Sequence, residues 1–321
     1  MTASDPSLPY VLTFGETMAL MRADRPGPLA HAAGLSLGIG GSESNVAIGL
    51  RRLGVPAVWC GRVGDDSLGI LVEREIRAEG VDARVTVDPD APTGLMLKES
   101  RTPSVQRVTY YRSGSAGSRL SSQDVDEDLV AGAGILHLSG ITAALSAQCR
   151  ETLHHAVAVA RAAGTLVSFD LNFRGNLWDR ETAGQFYREI LPHADLVFAG
   201  DDEAVITVGA GADPVELARR IAAHGPRQVV IKRGADGAVA LIDGQVLHQE
   251  AVPVEALDTV GAGDAFVAGY LAELLLDRGP GERLETAART GAFACLVPGD
   301  WEGFPRRHEL ELLSGTEPVI R

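Results

Sequence analysis

Between residues 135 and 232 the chain repeats one pattern: a short apolar run, a stretch with helical spacing, then the next apolar run. The runs are Ile135-Leu136-His137-Leu138, Leu166-Val167-Ser168-Phe169, Leu196-Val197-Phe198 and Val229-Val230-Ile231-Lys232. Helices are expected between them near 147–163, 181–190 and 214–223, the first closed by Gly164. Continuous apolar runs suit strands covered on both faces. Their alternation with helices implies right-handed crossovers and an α/β fold with a central, mainly parallel sheet flanked by helices on both faces. In such a sheet, ligands bind beyond the carboxyl ends of the strands.

The N-terminal half is less regular. Residues 1–9 read as a loose tail and Val11-Leu12-Thr13-Phe14 as a first strand. After Gly41, Val46, Leu50 and Leu53 recur at i, i+4 and i+7, the stripe of a core-facing helix that Gly54 ends. Val58-Trp59-Cys60 reads as a buried strand, and a helix is expected between Ser67 and Gly80. Residues 93–98 and 107–112 alternate instead, as strands with one wet face do. Together with part of 15–38 they are expected to form a small antiparallel flap. The 321 residues thus read as a single domain, with a small lid formed by about 16–38 and 92–115.

Composition narrows the partners. A net charge of −14 argues against nucleic acid and anionic membranes, both of which need a basic face. An anionic substrate must then be held by local Arg, Lys, metal or backbone N–H groups. Cys60, Cys149 and Cys295 lie far apart, without metal-ligand spacing, and read as reduced thiols of a cytoplasmic protein. Neither a signal segment nor a membrane span is expected.

Asp258-Thr259-Val260-Gly261-Ala262-Gly263-Asp264 opens an apolar helix. Gly261 and Gly263 permit a tight turn and close approach of a ligand to the backbone. The first N–H groups of a helix have no internal partner and carry partial positive charge, which suits a phosphoryl group. Asp264 then stands where its carboxylate can take a proton from an attacking hydroxyl. A Gly-x-Gly-Asp taken alone also fits a plain capped helix start. The chain carries no Gly-x-x-x-x-Gly-Lys-Ser/Thr, no Gly-x-Gly-x-x-Gly after a strand and no Gly-x-Ser-x-Gly, so P-loop, dinucleotide and esterase readings find no support.

The segment 258–264 resembles the C-terminal signature of the ribokinase-like (PfkB) carbohydrate kinases. Residues 40–54, a Gly pair, Asn45 and a helix closed by Leu53-Gly54, resemble that family's other signature. The resemblance covers nearly the whole chain and implies a ribokinase-like fold with a small β-sheet lid. It makes Asp264 the catalytic base and Gly261, Ala262 and Gly263 the anion hole. It assigns sugar contacts to Gly41 and Asn45, the nucleotide to Lys232, Gly234 and Gly237, and the adenine side to residues 298–303. Glu203 corresponds to the family's acid associated with Mg²⁺, although Gly200 replaces the usual Asn. ATP and Mg²⁺ are the implied cofactors.

Two further segments narrow the resemblance. Tyr110-Tyr111-Arg112-Ser113-Gly114-Ser115-Ala116 and Asp170-Leu171-Asn172-Phe173-Arg174, with Leu177-Trp178 behind, are similar to segments of 2-keto-3-deoxygluconate kinases. By that similarity Tyr110, Arg112 and Arg174 hold the acid end of the sugar. Two planar guanidinium groups suit a carboxylate, and a neutral sugar does not need them. Met96 departs from the aromatic residue common in these kinases and leaves the choice of epimer open. The implied reaction is phosphorylation of the terminal C6 hydroxyl of 2-keto-3-deoxygluconate by ATP. Alternatives are a kinase of the same family for ribose, fructose or a nucleoside, or a sugar-binding sensor without catalysis. Exposed lid strands imply a homo-oligomer through the lid.

Overall fold

The computed structural model describes residues 9–102, 105–210 and 213–314. The strands, in chain order, are β1 (Val11–Phe14), β2 (Met18–Ala23), β3 (Leu35–Gly40), β4 (Ala57–Gly64), β5 (Asp82–Asp88), β6 (Leu95–Thr102) and β7 (Val105–Tyr111). They continue as β8 (Ile135–Ser139), β9 (Leu166–Asp170), β10 (Leu196–Gly200), β11 (Gln228–Lys232), β12 (Ala238–Ile242) and β13 (Gln245–Gln249).

Among the described residues nine strands make the main sheet, in the order β13-β12-β11-β10-β9-β8-β1-β4-β5. From β11 through β5 every pairing is parallel, and β12 and β13 add an antiparallel edge. The double-sided burial expected from the apolar runs is present residue by residue. Val11, Trp59 and Val230 point into one core, with Val46, Val72, Val267 and Leu284 of helices Ser42–Arg52, Ser67–Ala78, Ala262–Leu275 and Pro280–Ala294. Their neighbours Leu12, Val58 and Val229 point into the other. There they meet Leu153, Phe186 and Leu217 of helices Ala147–Ala163, Arg180–Ile190 and Pro214–Ala222. Period-2 alternation divides each strand between two apolar layers.

The second sheet, among the described residues, has four strands in the order β3-β2-β6-β7 and draws on residues within 18–40 and 95–111. It is not wholly antiparallel. β2 runs parallel to β6, because the chain returns to the main sheet for β4 and β5 before coming back. One face of this lid carries Met18, Leu20, Met96, Val108 and Tyr110 packed together. Gly40, opposite Met18, lacks the Cβ that would strike Met96 and the Asp300 carboxylate, so the loop at 300 can lie beneath the lid. Residues 1–8, most of the expected tail, lie outside the described residues.

Candidate active site

The helix Ala262–Leu275 is buried on all sides from Ala265 to Glu273. A helix that is apolar all round must sit in the interior, and this one is covered by its neighbour Pro280–Ala294. Close approach is possible because Gly269 has no Cβ to meet Thr290 and Ala287. The helix therefore presents its N-terminus at a fixed place. Gly261 precedes it with φ +78°, the left-handed region that favours glycine, and a Cβ there would collide with the Asp300 carbonyl.

Asp264 lies in the first turn, and both of its oxygens are held. Ser42 Oγ donates to Oδ1 at 2.7 Å and Asn45 Nδ2 donates to Oδ2 at 2.8 Å. Asn172, in the left-handed region at φ 41° just beyond β9, donates from Nδ2 to Ser42 Oγ at 2.8 Å. Burial pushes the Asp264 carboxyl above its ordinary value, and the hydrogen bonds from Asn45 and Ser42 and the charges of Arg174 and Lys232 offset this only in part. The result is a fixed carboxylate with heightened basicity.

Two adjoining cavities meet at Asp264. The first, of about 420 Å³, includes Asp170, Glu203, Lys232, Gly261 and Gly263 in its lining. The second includes Glu16, Gly41, Asn45 and Arg112. Met96, Tyr110, Arg174, Asp264 and Asp300 border both. The carboxyl ends of β9, β10 and β11 supply Asp170, Gly200 and Lys232, where a parallel sheet places its ligands.

Lys232 Nζ pairs with Asp170 Oδ2 at 2.6 Å and lies 3.7 Å from where a Cβ on Gly263 would stand. Burial pulls the ammonium down, but Asp170 and Glu203 more than offset this and keep it charged. A fixed cation thus faces the helix N-terminus. The two expected arginines differ in state. Arg112 donates from Nε to Glu16 Oε2 at 2.7 Å, and Glu16 is buried and also accepts from Ser115 Oγ. The Arg112 guanidinium stacks over Tyr110 with 5.7 Å to the ring centroid. Arg174 is exposed and, among the described residues, has no ion-pair partner.

Several expected residues are placed otherwise. The Ala262 N–H donates to the Thr259 carbonyl at 3.3 Å and closes the turn, so the amides left for an anion are those of Gly263 and Asp264. Glu203 faces the first cavity, but Oε1 accepts from the Phe173 N–H at 2.9 Å and Oε2 from the Gly200 N–H at 2.7 Å. It is a helix cap before anything else. Among the described residues no cluster of three or more His, Cys, Asp or Glu could hold a metal ion. Gly234 and Gly237 line neither cavity, and Gly237, at φ +82°, is required because a Cβ would strike the Gln249 carbonyl. Gly41 has a packing duty too, since a Cβ there would meet the Glu16 carbonyl.

Residues 298–303, expected on the adenine side, pass under the lid. The Trp301 indole donates to the Ile39 carbonyl at 3.2 Å, and Asp300 turns into both cavities. Burial pushes the Asp300 carboxyl up to about 7, against the pull of Lys98. Ser42 and Glu16, which line the second cavity, and Lys98, which lies behind Asp300, are residues that sequence reasoning missed, and Asp300 was expected only as part of the adenine-side segment. Lys98 left a signal, a charge on the inward phase of a strand that also sends Met96 inward.

Fold and site together define a phosphotransferase with a lid over the carboxyl ends of a parallel sheet. Residues 8–307 match the model of the pfkB family carbohydrate kinases, and the chain belongs to that family. It is 37% identical to the 2-dehydro-3-deoxygluconokinase of Bacillus subtilis (strain 168), over 93% of this chain and 93% of that one. The 2-dehydro-3-deoxygalactonokinase of Haloferax volcanii is 34% identical, over 90% of this chain and 92% of its own length. Among solved structures, an E. coli ribokinase II with ATP and Mg²⁺ superposes with a TM-score of 0.88 at 26% identity, covering 96% of this chain and 99% of that one.

Proposed function

We propose that the protein transfers the γ-phosphoryl group of ATP to the C6 hydroxyl of 2-keto-3-deoxygluconate, also called 2-dehydro-3-deoxygluconate. The observation that carries this is Arg174, a cation without an ion-pair partner among the described residues, on the cavity that also holds Asp264. In a chain of net charge −14 an acidic sugar needs such a local cation. A charge-assisted contact of this kind contributes about 1.5–3 kcal/mol. Arg112, already neutralised by Glu16, offers its remaining donor edge and keeps Tyr110 in place. The carboxylate at one end then sets the far hydroxyl against Asp264.

Asp264 takes the proton of that hydroxyl as it attacks. Phosphoryl transfer depends on positioning and charge neutralisation, and the amides of Gly263 and Asp264 and the Lys232 ammonium supply both at the helix N-terminus. The first cavity fits a hydrated Mg²⁺ carried in with ATP. Among the described residues Asp170 Oδ1 is buried without a hydrogen-bond partner and Glu203 lines the same cavity, which suits an ion held through waters and one or two carboxylates. When bound, Mg²⁺ neutralises phosphate charge. Seating of the lid excludes water from the transfer.

The test is a panel of 2-keto-3-deoxygluconate, its galacto epimer, fructose and ribose, each with ATP and Mg²⁺. The sugar acid is expected to turn over and to give a 6-phosphate by phosphorus NMR. Equal turnover of fructose removes the sugar-acid assignment.

A further inference from the structure

Lys98 is among the largest side chains to be fully buried, at 1% exposure, on a lid strand. Its ammonium does not belong to the lid at all. Nζ lies 2.6 Å from Asp258 Oδ2, 3.5 Å from Asp300 Oδ1 and 3.2 Å from the Gly299 carbonyl. Asp258 opens the turn that ends in Asp264. While Oδ2 faces Lys98, Oδ1 accepts the Val260 N–H at 3.0 Å, and Oδ2 also accepts the Gly299 N–H at 3.1 Å. The next residue, Asp300, presses its carbonyl against Gly261. One ammonium from the lid therefore touches both sides of the anion-binding turn. Arg22, paired in register with Lys98 on the adjacent strand, donates to the Pro298 carbonyl and grips the same loop from the same sheet.

We propose that Lys98 is a positioning residue that couples the seating of the lid to the assembly of the phosphoryl-binding turn. The physical argument is one of charge. Two buried carboxylates and a carbonyl converge on one point, and only a cation there makes that arrangement favourable. Without the ammonium, Asp258 and Asp300 face each other across a dry space, and the Asp258 carboxylate must turn away or take a proton. Either change releases the Val260 amide and the Gly299 loop, and the amides at 263–264 lose their aim. A seated lid favours an assembled turn, and by linkage an assembled turn with bound phosphate favours a seated lid. Lys98 itself lines neither cavity and reaches their lining through Asp300 alone, so its effect falls on the transfer step more than on binding of ATP.

This inference rests on the kinase reading above, and the experiment separates the two. Wild-type turnover is measured first with 2-keto-3-deoxygluconate. If that sugar fails, the substrate assignment falls, and the Lys98 series is run on whichever sugar of the panel is phosphorylated. Lys98→Met is expected to lower kcat by about tenfold or more while the KM for ATP moves less than about threefold. Lys98→Arg is expected to recover most of the rate. In Lys98→Ala, millimolar ammonium or methylammonium is expected to restore part of kcat where sodium chloride of equal ionic strength does not. If Lys98→Met does not fold, the Arg and Ala variants decide. The proposal is overturned by a Lys98→Met enzyme with kcat within about twofold of wild type. It is equally overturned by a loss that Lys98→Arg shares and that no amine relieves, which marks Lys98 as packing only.

Discussion

Asp264 owes its state to partners far away in the chain: Ser42 and Asn45 stand on another helix, and Asn172 steadies Ser42 from the loop after β9. Burial is the largest influence on its carboxyl and raises it. A base works only when unprotonated, so kcat/KM is expected to fall as pH drops through a value above the ordinary Asp pKa of about 4. A profile whose acid limb sits at or below that value contradicts the assignment. Asp264→Asn is expected to cut kcat by about 10²–10⁴ while calorimetric ATP binding persists. Asp264 itself was legible, because a glycine turn, an acid and an apolar helix follow one another along the chain. Ser42 and Asn172 were not, since a serine after a glycine and an asparagine after a strand are ordinary until the fold brings them together. Arg112 was legible as a site residue, but its pairing with Glu16 depends on a contact across 96 positions.

The helices and strands that were read correctly are those with strong local periodicity. The helix Ala147–Ala163 ends where Gly164 adopts φ 80°, and the helix Ser42–Arg52 carries Val46 and Leu50 inward as spaced. The parallel pairing of β2 with β6 was hidden, because direction depends on the intervening excursion and not on either strand's residues. β5 and β13 were not anticipated either. Their half-exposed patterns resemble loops when nothing shows which strand they join. The turn before the helix Ala262–Leu275 gives the sharpest test at this level. In Gly261→Ala the added Cβ meets the Asp300 carbonyl at a φ of +78°. A loss of roughly 2 kcal/mol or more in denaturant unfolding is expected, the sum of left-handed strain and displaced backbone. An unfolding midpoint equal to wild type argues that the loop 298–303 yields freely, which also weakens the coupling assigned to Lys98.

The lid shows two unlike faces to its surroundings. Its inner face is spent on Met96, Tyr110 and the loop beneath, whereas Leu37, Met21 and Leu97 lie in register on the outer face, with Leu35 two residues along. Leu37 is 54% exposed and belongs to β3, the edge strand of the lid sheet among the described residues. An apolar row beside an open edge is a surface that folded chains seldom leave to water. A second copy of the chain laid across this face would cover it, and would brace the sheet that must close over the sugar. On this view the wild-type protein sediments as a homo-oligomer and Leu37→Lys moves it toward the monomer. The substitution leaves the inner face untouched, so any fall in turnover that accompanies dissociation reports the bracing of the lid. A wild type that sediments as a monomer at micromolar concentration removes the idea. The lid must then hold its closed position through its grip on the loop 298–302 alone.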